Sequence, residues 1–152
     1  MKTANWLRVL ILVIGLGLEA TRQVAAQSEV GTQTPIQVSF CELVRNPSAY
    51  SGKLILTTVR ITATKHGSSL WDPRCRSLSL AWQTDALYKS TAGLVALDRE
   101  MSAHGLSDHP IVANLKGKFM HDQYSALLKR RMSFLIVQAA TDIRQTKDEE
   151  HR

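Results

Sequence analysis

The sequence has few of the residue patterns that carry enzyme chemistry. It contains no G-x-S-x-G stretch to expose a nucleophilic serine and no glycine-rich loop to bind phosphate. The aspartates from Asp72 to Asp142 are scattered, so no pair is spaced for acid–base or two-metal catalysis. Its two cysteines form no C-x-x-C motif and have no neighbouring histidines to complete a zinc site. These absences argue against an enzyme and against a metal or other cofactor.

Long apolar runs are also scarce. The 152-residue chain has one, Val9 to Leu18, and it is too short for the ~20 residues that span a bilayer. This run follows Lys2 and Arg8 and precedes the small residues Val24-Ala25-Ala26, a pattern typical of a secretory signal over residues 1–26. Cleavage after Ala26 leaves no transmembrane helix and lowers the formal charge from +6 to +4, because three basic residues and one acidic residue are removed. We therefore expect an exported protein, periplasmic or extracellular.

The overall composition is that of a globular protein. Charged residues make up 21% of the chain and hydrophobic residues 44%, which excludes disordered, collagen-like and coiled-coil classes. The length suffices for one domain with a real core. We predict a signal peptide over residues 1–26, a flexible leader over 27–36, a folded domain over 37–145 and a polar tail over 146–152.

The hydrophobic periodicity predicts five strands and two helices. The strands span Lys53 to Thr64, Leu70-Trp71, Leu78 to Trp82, Ile111 to Phe119 and Met132 to Ile143. A short helix, Cys41 to Asn46, comes before them and ends at Pro47. A second helix runs from Leu94 to the stop signal His104-Gly105, between the third and fourth strands. Residues 121–131 are predicted to be a polar connection, and Gly117 marks a bulge or bend.

This order of elements predicts a mainly β fold. We expect a five-stranded Greek-key barrel of the oligonucleotide/oligosaccharide-binding (OB) type, with a short N-terminal helix and a helix between strands three and four. The long first strand fits such a barrel, because it can contribute to both halves of the closed sheet. A mixed α+β sandwich remains the alternative, since strand pairing cannot be observed in the sequence.

The same residues also carry a family resemblance. The pattern consists of Phe40-Cys41-Glu42-Leu43, Asn46-Pro47, Tyr50, Gly52-Lys53 and Leu70-Trp71-Asp72-Pro73-Arg74-Cys75. It resembles a family of small exported bacterial proteins of uncharacterised function with an OB-like domain. The resemblance covers Phe40 to Cys75 well and extends weakly to Leu115–Phe119 and the final strand, whereas residues 121–131 depart from the family's loop. It implies a fold and an exported location, and it supplies no catalytic residues.

Cys41 and Cys75 are predicted to form a disulfide. In an oxidising compartment an even pair of cysteines is usually bridged. The bridge closes a 35-residue loop, for which the chain-entropy estimate is roughly 3.5 to 4 kcal/mol. We therefore expect it to contribute a large share of the stability of a small domain.

Candidate ligand-binding residues follow from the expected fold. In OB barrels the face of strands two and three receives the ligand, with aromatic side chains beside basic groups. The candidates are Trp71 and the basic residues Arg60, Arg74, Arg76, Lys116 and Lys118. Trp82 alternates with buried positions and is expected in the core. Lys129-Arg130-Arg131 is interpreted as protecting a strand edge from aggregation.

The expected function is binding without catalysis. The main hypothesis is an exported module for a small anionic ligand, a glycan or a protein partner. A nucleic-acid-binding OB domain is an alternative, and it predicts an affinity that falls steeply with salt. A secreted hydrolase is a further alternative, which requires a cleft with convergent ionisable groups. A buried Trp71 with dispersed basic side chains would contradict the binding hypothesis.

Overall fold

The computed structural model describes residues 33–64, 67–104, 110–126 and 128–146. The predicted signal, the predicted leader up to residue 32 and the predicted tail from residue 147 lie outside these described residues. The elements in chain order are β1 (Ile36–Gln37), α1 (Phe40–Arg45), α2 (Pro47–Tyr50), β2 (Leu54–Thr64), β3 (Gly67–Trp71), a 3-10 turn (Pro73–Cys75), β4 (Ser79–Thr84), α3 (Ala92–His104), β5 (Ile111–Ser125) and β6 (Arg130–Gln145). Within the described ranges, no helix is long and apolar enough to cross a membrane.

The strands form a six-stranded sheet that closes partly in a ring. Their order is β1-β2-β3-β4-β6-β5, and β2 also pairs with β5. The β1–β2 and β4–β6 pairs are parallel, and the other pairs are antiparallel. The prediction of a mainly β protein is confirmed, but the predicted count of five strands is wrong. The added strand, β1, has two residues, too few for an alternating pattern to be recognised in the sequence.

The strand β2 explains the partial closure. Leu54 to Ile61 pair with β5, and Arg60 to Thr64 pair with β3. One long strand therefore contributes to two parts of the sheet, as its predicted length indicated. The predicted alternation is also confirmed, because Val59 and Ile61 are buried whereas Arg60 is only partly buried on the opposite side.

The β5–β6 hairpin differs most from the sequence-based expectation. Residues 121–125 continue β5, and β6 begins at Arg130, so the predicted polar connection over 121–131 is wrong. The side chains there are mostly exposed on both sides of the hairpin, and hydrophobic alternation cannot reveal such a strand. The bulge predicted at Gly117 is confirmed by a register shift, and a β-carbon at this position would collide with the backbone oxygen of Ile136.

The helices bring apolar side chains to one core. Phe40 and Leu43 of α1 and Leu94 and Leu97 of α3 are buried together with the inner faces of the strands. The helix α3 lies between β4 and β5, which confirms a helix between the third and fourth predicted strands. Pro47 follows α1 as predicted, but it also begins α2, where a proline in the first turn loses no backbone hydrogen bond.

The predicted disulfide is confirmed. Cys41 of α1 is bonded to Cys75 in the 3-10 turn, with a Cα–Cα distance of 5.7 Å. Both cysteines are buried. The bridge thus joins the first helix to the turn that follows β3. A buried disulfide is typical of an oxidising, non-cytoplasmic environment.

Candidate functional site

Four residues form a row across the outer face of the sheet. Trp71 of β3 pairs with Arg60 of β2, Arg60 pairs with Val112 of β5, and Val112 pairs with Arg144 of β6. Residues directly opposite each other in antiparallel strands point to the same side of a sheet. We call these four residues the arginine row. The topology therefore places Arg60 and Arg144, which are 84 positions apart in sequence, on one face of two strands that both flank β5.

Trp71 supports Arg60 in this row. Its indole Nε1 donates a hydrogen bond of 2.7 Å to Oγ1 of Thr62. The guanidinium carbon of Arg60 lies 5.6 Å from the centroid of the indole ring, within the range of a cation–π interaction. Trp71 is partly buried. These contacts fix the indole and restrict the arginine that lies over it.

The turn after β3 fixes a third guanidinium, that of Arg74. The Asp72 carboxylate accepts a hydrogen bond of 2.8 Å from the backbone N–H of Arg74. It also accepts bonds of 3.0 Å from Nε and 2.7 Å from Nη2 of the same arginine. Asp72 is only 6% exposed, and Cys75 ties the turn to α1. The position of Arg74 is therefore set by a buried carboxylate and a disulfide.

The same contacts determine the charge of Asp72. The side-chain hydrogen bonds from Arg74 are the main reason that the pKa of Asp72 lies below its usual value. Burial acts in the opposite direction, and the charges of Arg74 and Arg60 add to the lowering. The carboxylate in turn raises the pKa of Arg74. Asp72 is thus held ionised and bound to its neighbour.

These groups surround a depression of about 520 Å³. Its lining includes Arg60, Arg74, Arg144 and the Asp72 carboxylate. Arg74 uses Nε and Nη2 for that carboxylate. In the described part of the chain, neither Nη1 of Arg74 nor the guanidinium of Arg144 has a hydrogen-bond partner. The lining therefore has an excess of positive charge and unused N–H donors.

A second depression, of about 280 Å³, adjoins the first and shares Thr58 and Arg74 with it. Oγ1 of Thr58 donates a hydrogen bond of 2.6 Å to Oδ1 of Asn114, which pairs with it across β2 and β5. Nδ2 of Asn114 donates a bond of 2.5 Å to the carboxylate of Asp142 on β6. These polar groups satisfy one another. The charge that the second depression offers to a ligand comes from Arg74.

The structure brings three of the six predicted binding residues together and separates the others. Arg60, Trp71 and Arg74 are neighbours, although Trp71 lies behind Arg60 and lines neither depression. Lys116, Lys118 and Arg76 also line neither of these two depressions. The lysines pair with Leu56 and Leu54, farther along the outer face, and Arg76 lies in the turn after Cys75. Trp82 packs against the core as expected.

Arg144 is the site residue that sequence reasoning missed. It follows the predicted last strand, and only its register opposite Val112 brings it to Arg60. That register depends on a shift in the pairing of β5 and β6 beside Asp142, which has a positive φ of 51°. A predicted strand extended by one residue would have included Arg144, but the neighbours of Arg144 in the sheet cannot be inferred from local pattern.

One group of residue types that bind metals is also present. Among the described residues, the sulfurs of Cys41 and Cys75 and a carboxylate oxygen of Asp72 lie within 4.8 Å of one another. The sulfurs are bonded to each other, and the carboxylate is bound by Arg74. These atoms serve the architecture of the turn.

Comparisons of the chain with protein-family models, with curated proteins and with solved structures find no match. Geometry and charge therefore define what the site can bind. That geometry is a depression with three arginines and one neutralised carboxylate.

Proposed function

We propose that the protein is an exported OB-like module that binds a small anion carrying at least two negatively charged groups. The ligand is held by Arg60, Arg74 and Arg144. The observation that carries this proposal is the presence of three guanidinium groups around one depression, where the carboxylate of Asp72 is already bound by Arg74. Arginine favours carboxylates and phosphates because its planar group can donate two parallel hydrogen bonds to them. Polyphosphates, phosphate esters and dicarboxylates have this chemistry.

The strand pairing supports the OB-like assignment. Five strands pair in the cyclic order β2-β3-β4-β6-β5, with a parallel pair between β4 and β6. The helix α3 connects the third and fourth strands of this ring. An OB barrel has a five-stranded Greek-key arrangement of this kind. In this assignment the short strand β1 is an extra strand outside the ring of five. The resemblance of residues 40–75 to small exported bacterial proteins and the buried disulfide support export.

Trp71 has a positioning role in this proposal. One face of its ring lies against Arg60, and its N–H is used by Thr62. Because it lines neither depression, stacking on a sugar or a base is not the interaction that the geometry favours. We therefore favour a small anion over a neutral glycan and over a nucleic acid bound through its bases.

Binding is also favoured over hydrolysis. A general base must accept a proton from the reacting group, and a pKa near the working pH suits it best. Asp72 has a lowered pKa, and both of its carboxylate oxygens already accept hydrogen bonds from Arg74. It is better suited to holding Arg74 in place than to activating water.

Calorimetric titration with pyrophosphate and with succinate, at constant ionic strength, tests the proposal. Arg144→Gln removes a side chain that has no ion pair in the described part of the chain, so the fold should be little affected. Loss of charge-assisted hydrogen bonds worth about 1.5 to 3 kcal/mol corresponds to an affinity loss of roughly 10- to 100-fold. Arg76→Gln is the matched control, because it removes the same charge outside both depressions.

The proposal requires that at least one of the two anions binds and that Arg144→Gln weakens it far more than Arg76→Gln. Equal weakening in the two variants would mean that only the overall charge matters, and the assignment of the site to Arg144 and its neighbours would be wrong. Failure of both anions to bind would also contradict the proposal. Tighter binding of a single-stranded oligonucleotide, with the steep salt dependence of phosphate contacts, would favour the nucleic-acid alternative.

A further inference from the structure

The end of the β5–β6 hairpin extends beyond the ring of strands. The pairing of β5 with β2 ends at Lys118, and the pairing of β6 with β4 begins at Phe134. Past these points the two strands pair with each other, as in Gln123 with Met132 and Tyr124 with Arg131. We call residues 121–126 and 128–133 the ribbon. It lies at the opposite end of the hairpin from Arg144 and is separate from the anion site.

The ribbon is strongly basic. Lys129, Arg130 and Arg131 are consecutive and exposed. Asp122 is the acidic residue of the ribbon, and it forms an ion pair of 2.7 Å with Arg131. His121 lies at the base, with Nδ1 2.9 Å from Oγ of Ser133. Lys129 and Arg130 have no ion pair in the described ranges, so their charges face solvent.

The ribbon also exposes apolar surface beside these charges. Tyr124 is 65% exposed and Leu128 is 49% exposed. Arg131 lies opposite Tyr124, and Arg130 lies opposite Ser125, so cations flank the hairpin on both sides. Leu128 lies in the turn, where its N–H donates to Oγ of Ser125. Protection of a strand edge would account for the cations alone, but not for an exposed aromatic and an exposed aliphatic side chain beside them.

We propose that the ribbon docks the protein on an anionic phospholipid surface. Lys129 and Arg130 contact the headgroup phosphates, while Leu128 and Tyr124 enter the interfacial layer. Basic residues near such a surface attract it electrostatically, and amphipathic tyrosines are suited to its mixed polarity. The charge complementarity selects an acidic surface, and the exposed apolar side chains favour lipid over a purely polar polyanion. Docking through the ribbon leaves the anion site free, because Arg144 and Val112, the partner of Arg60, lie at the other end of the β5–β6 hairpin.

Sedimentation of the full chain with vesicles tests this inference. One vesicle contains phosphatidylcholine and phosphatidylserine in equal parts, and the other contains phosphatidylcholine alone. Lys129→Gln combined with Arg130→Gln should weaken binding to the anionic vesicle about 25-fold, at roughly fivefold per cation. The matched control combines Lys89→Gln with Arg99→Gln, which removes two exposed cations outside the ribbon. Any binding through the apolar residues 9–18 also occurs on the phosphatidylcholine vesicle, so it is measured there for each variant and subtracted from binding to the anionic vesicle.

A second variant tests the apolar contribution. Tyr124→Ser combined with Leu128→Ser keeps the charges of the ribbon and should also weaken binding to the anionic vesicle, several-fold or more. Circular dichroism verifies that each variant is folded. Equal losses in the ribbon and control charge variants, or equal binding of the unmodified protein to both vesicles, would overturn the inference. The inference would also fail if the serine variant bound the anionic vesicle as well as the unmodified protein does. It would fail, too, if a duplex oligonucleotide bound more tightly than the anionic vesicle and its binding depended on Lys129 and Arg130.

Discussion

Removal of the Cys41–Cys75 disulfide should cost a large part of the stability of the protein. The cysteines are separated by 34 positions, and the chain-entropy relation for a loop of this size gives ~3.8 kcal/mol at room temperature. Typical stabilities of about 0.05 to 0.15 kcal/mol per residue give roughly 6 to 17 kcal/mol for the folded part of the chain. The bridge therefore contributes between about a fifth and two thirds of the total.

Urea unfolding, followed by circular dichroism, measures this contribution in a variant with Cys41→Ala and Cys75→Ala. With a slope of about 1 to 3 kcal/mol per molar urea, the midpoint should fall by roughly 1.3 to 3.8 M. Reduction of the unmodified protein with dithiothreitol should give a similar decrease, and the same reductant should not affect the variant. A stability loss below about 1 kcal/mol would refute the reasoning, because the entropy of a loop this long could not then be the main contribution.

Two further changes test smaller parts of the structure. Asp72→Asn should lower stability by about 1 kcal/mol near neutral pH, because the amide can still cap the 3-10 turn but loses the charged hydrogen bonds to the largely exposed Arg74. Because the pKa of Asp72 is lowered in the folded state, its contribution to stability is present above about pH 4 and is lost as the pH falls through the folded pKa. In thermal unfolding, the difference in stability between the unmodified protein and Asp72→Asn should therefore shrink as the pH falls through this range. A difference that stays constant with pH would contradict the prediction. Thr57→Val should raise stability by about 1 kcal/mol in urea unfolding, because Oγ1 of Thr57 is buried without a hydrogen-bond partner in the described part of the chain. A loss of stability in this variant would show that the hydroxyl is satisfied.

Much of the fold could be predicted from local sequence patterns. The alternation that puts Val59 and Ile61 in the core and Arg60 outside identified β2, and Pro47 identified the end of α1. Such signals arise wherever one side of an element is buried. They fail for residues 121–125, whose strand faces solvent, and for β1, which has two residues and pairs with β2 along its edge.

The site was less predictable than the fold. Arg60, Trp71 and Arg74 could be grouped because they lie on the first expected strand, on the second expected strand and in the turn that follows it. Arg144 could not be added to them, because its position opposite Val112 depends on how β5 and β6 are shifted in register. Such shifts are set by tertiary contacts between strands, and local periodicity carries no information about them.

The role of Trp71 shows a related limit. The sequence indicated an aromatic side chain beside basic ones, which is compatible both with stacking on a ligand and with support of an arginine. The contact between the Trp71 ring and Arg60 favours the second role. Only the directions of the Trp71 and Arg60 side chains on the sheet distinguish these two roles.

The most direct test of the central claim follows the arginine side-chain N–H resonances by NMR during titration with pyrophosphate. We predict saturable shifts for Arg60, Arg74 and Arg144, with one common affinity, and no comparable shift for Arg76. A titration in which Arg144 does not respond, or in which Arg76 responds as strongly as the three site residues, would contradict it.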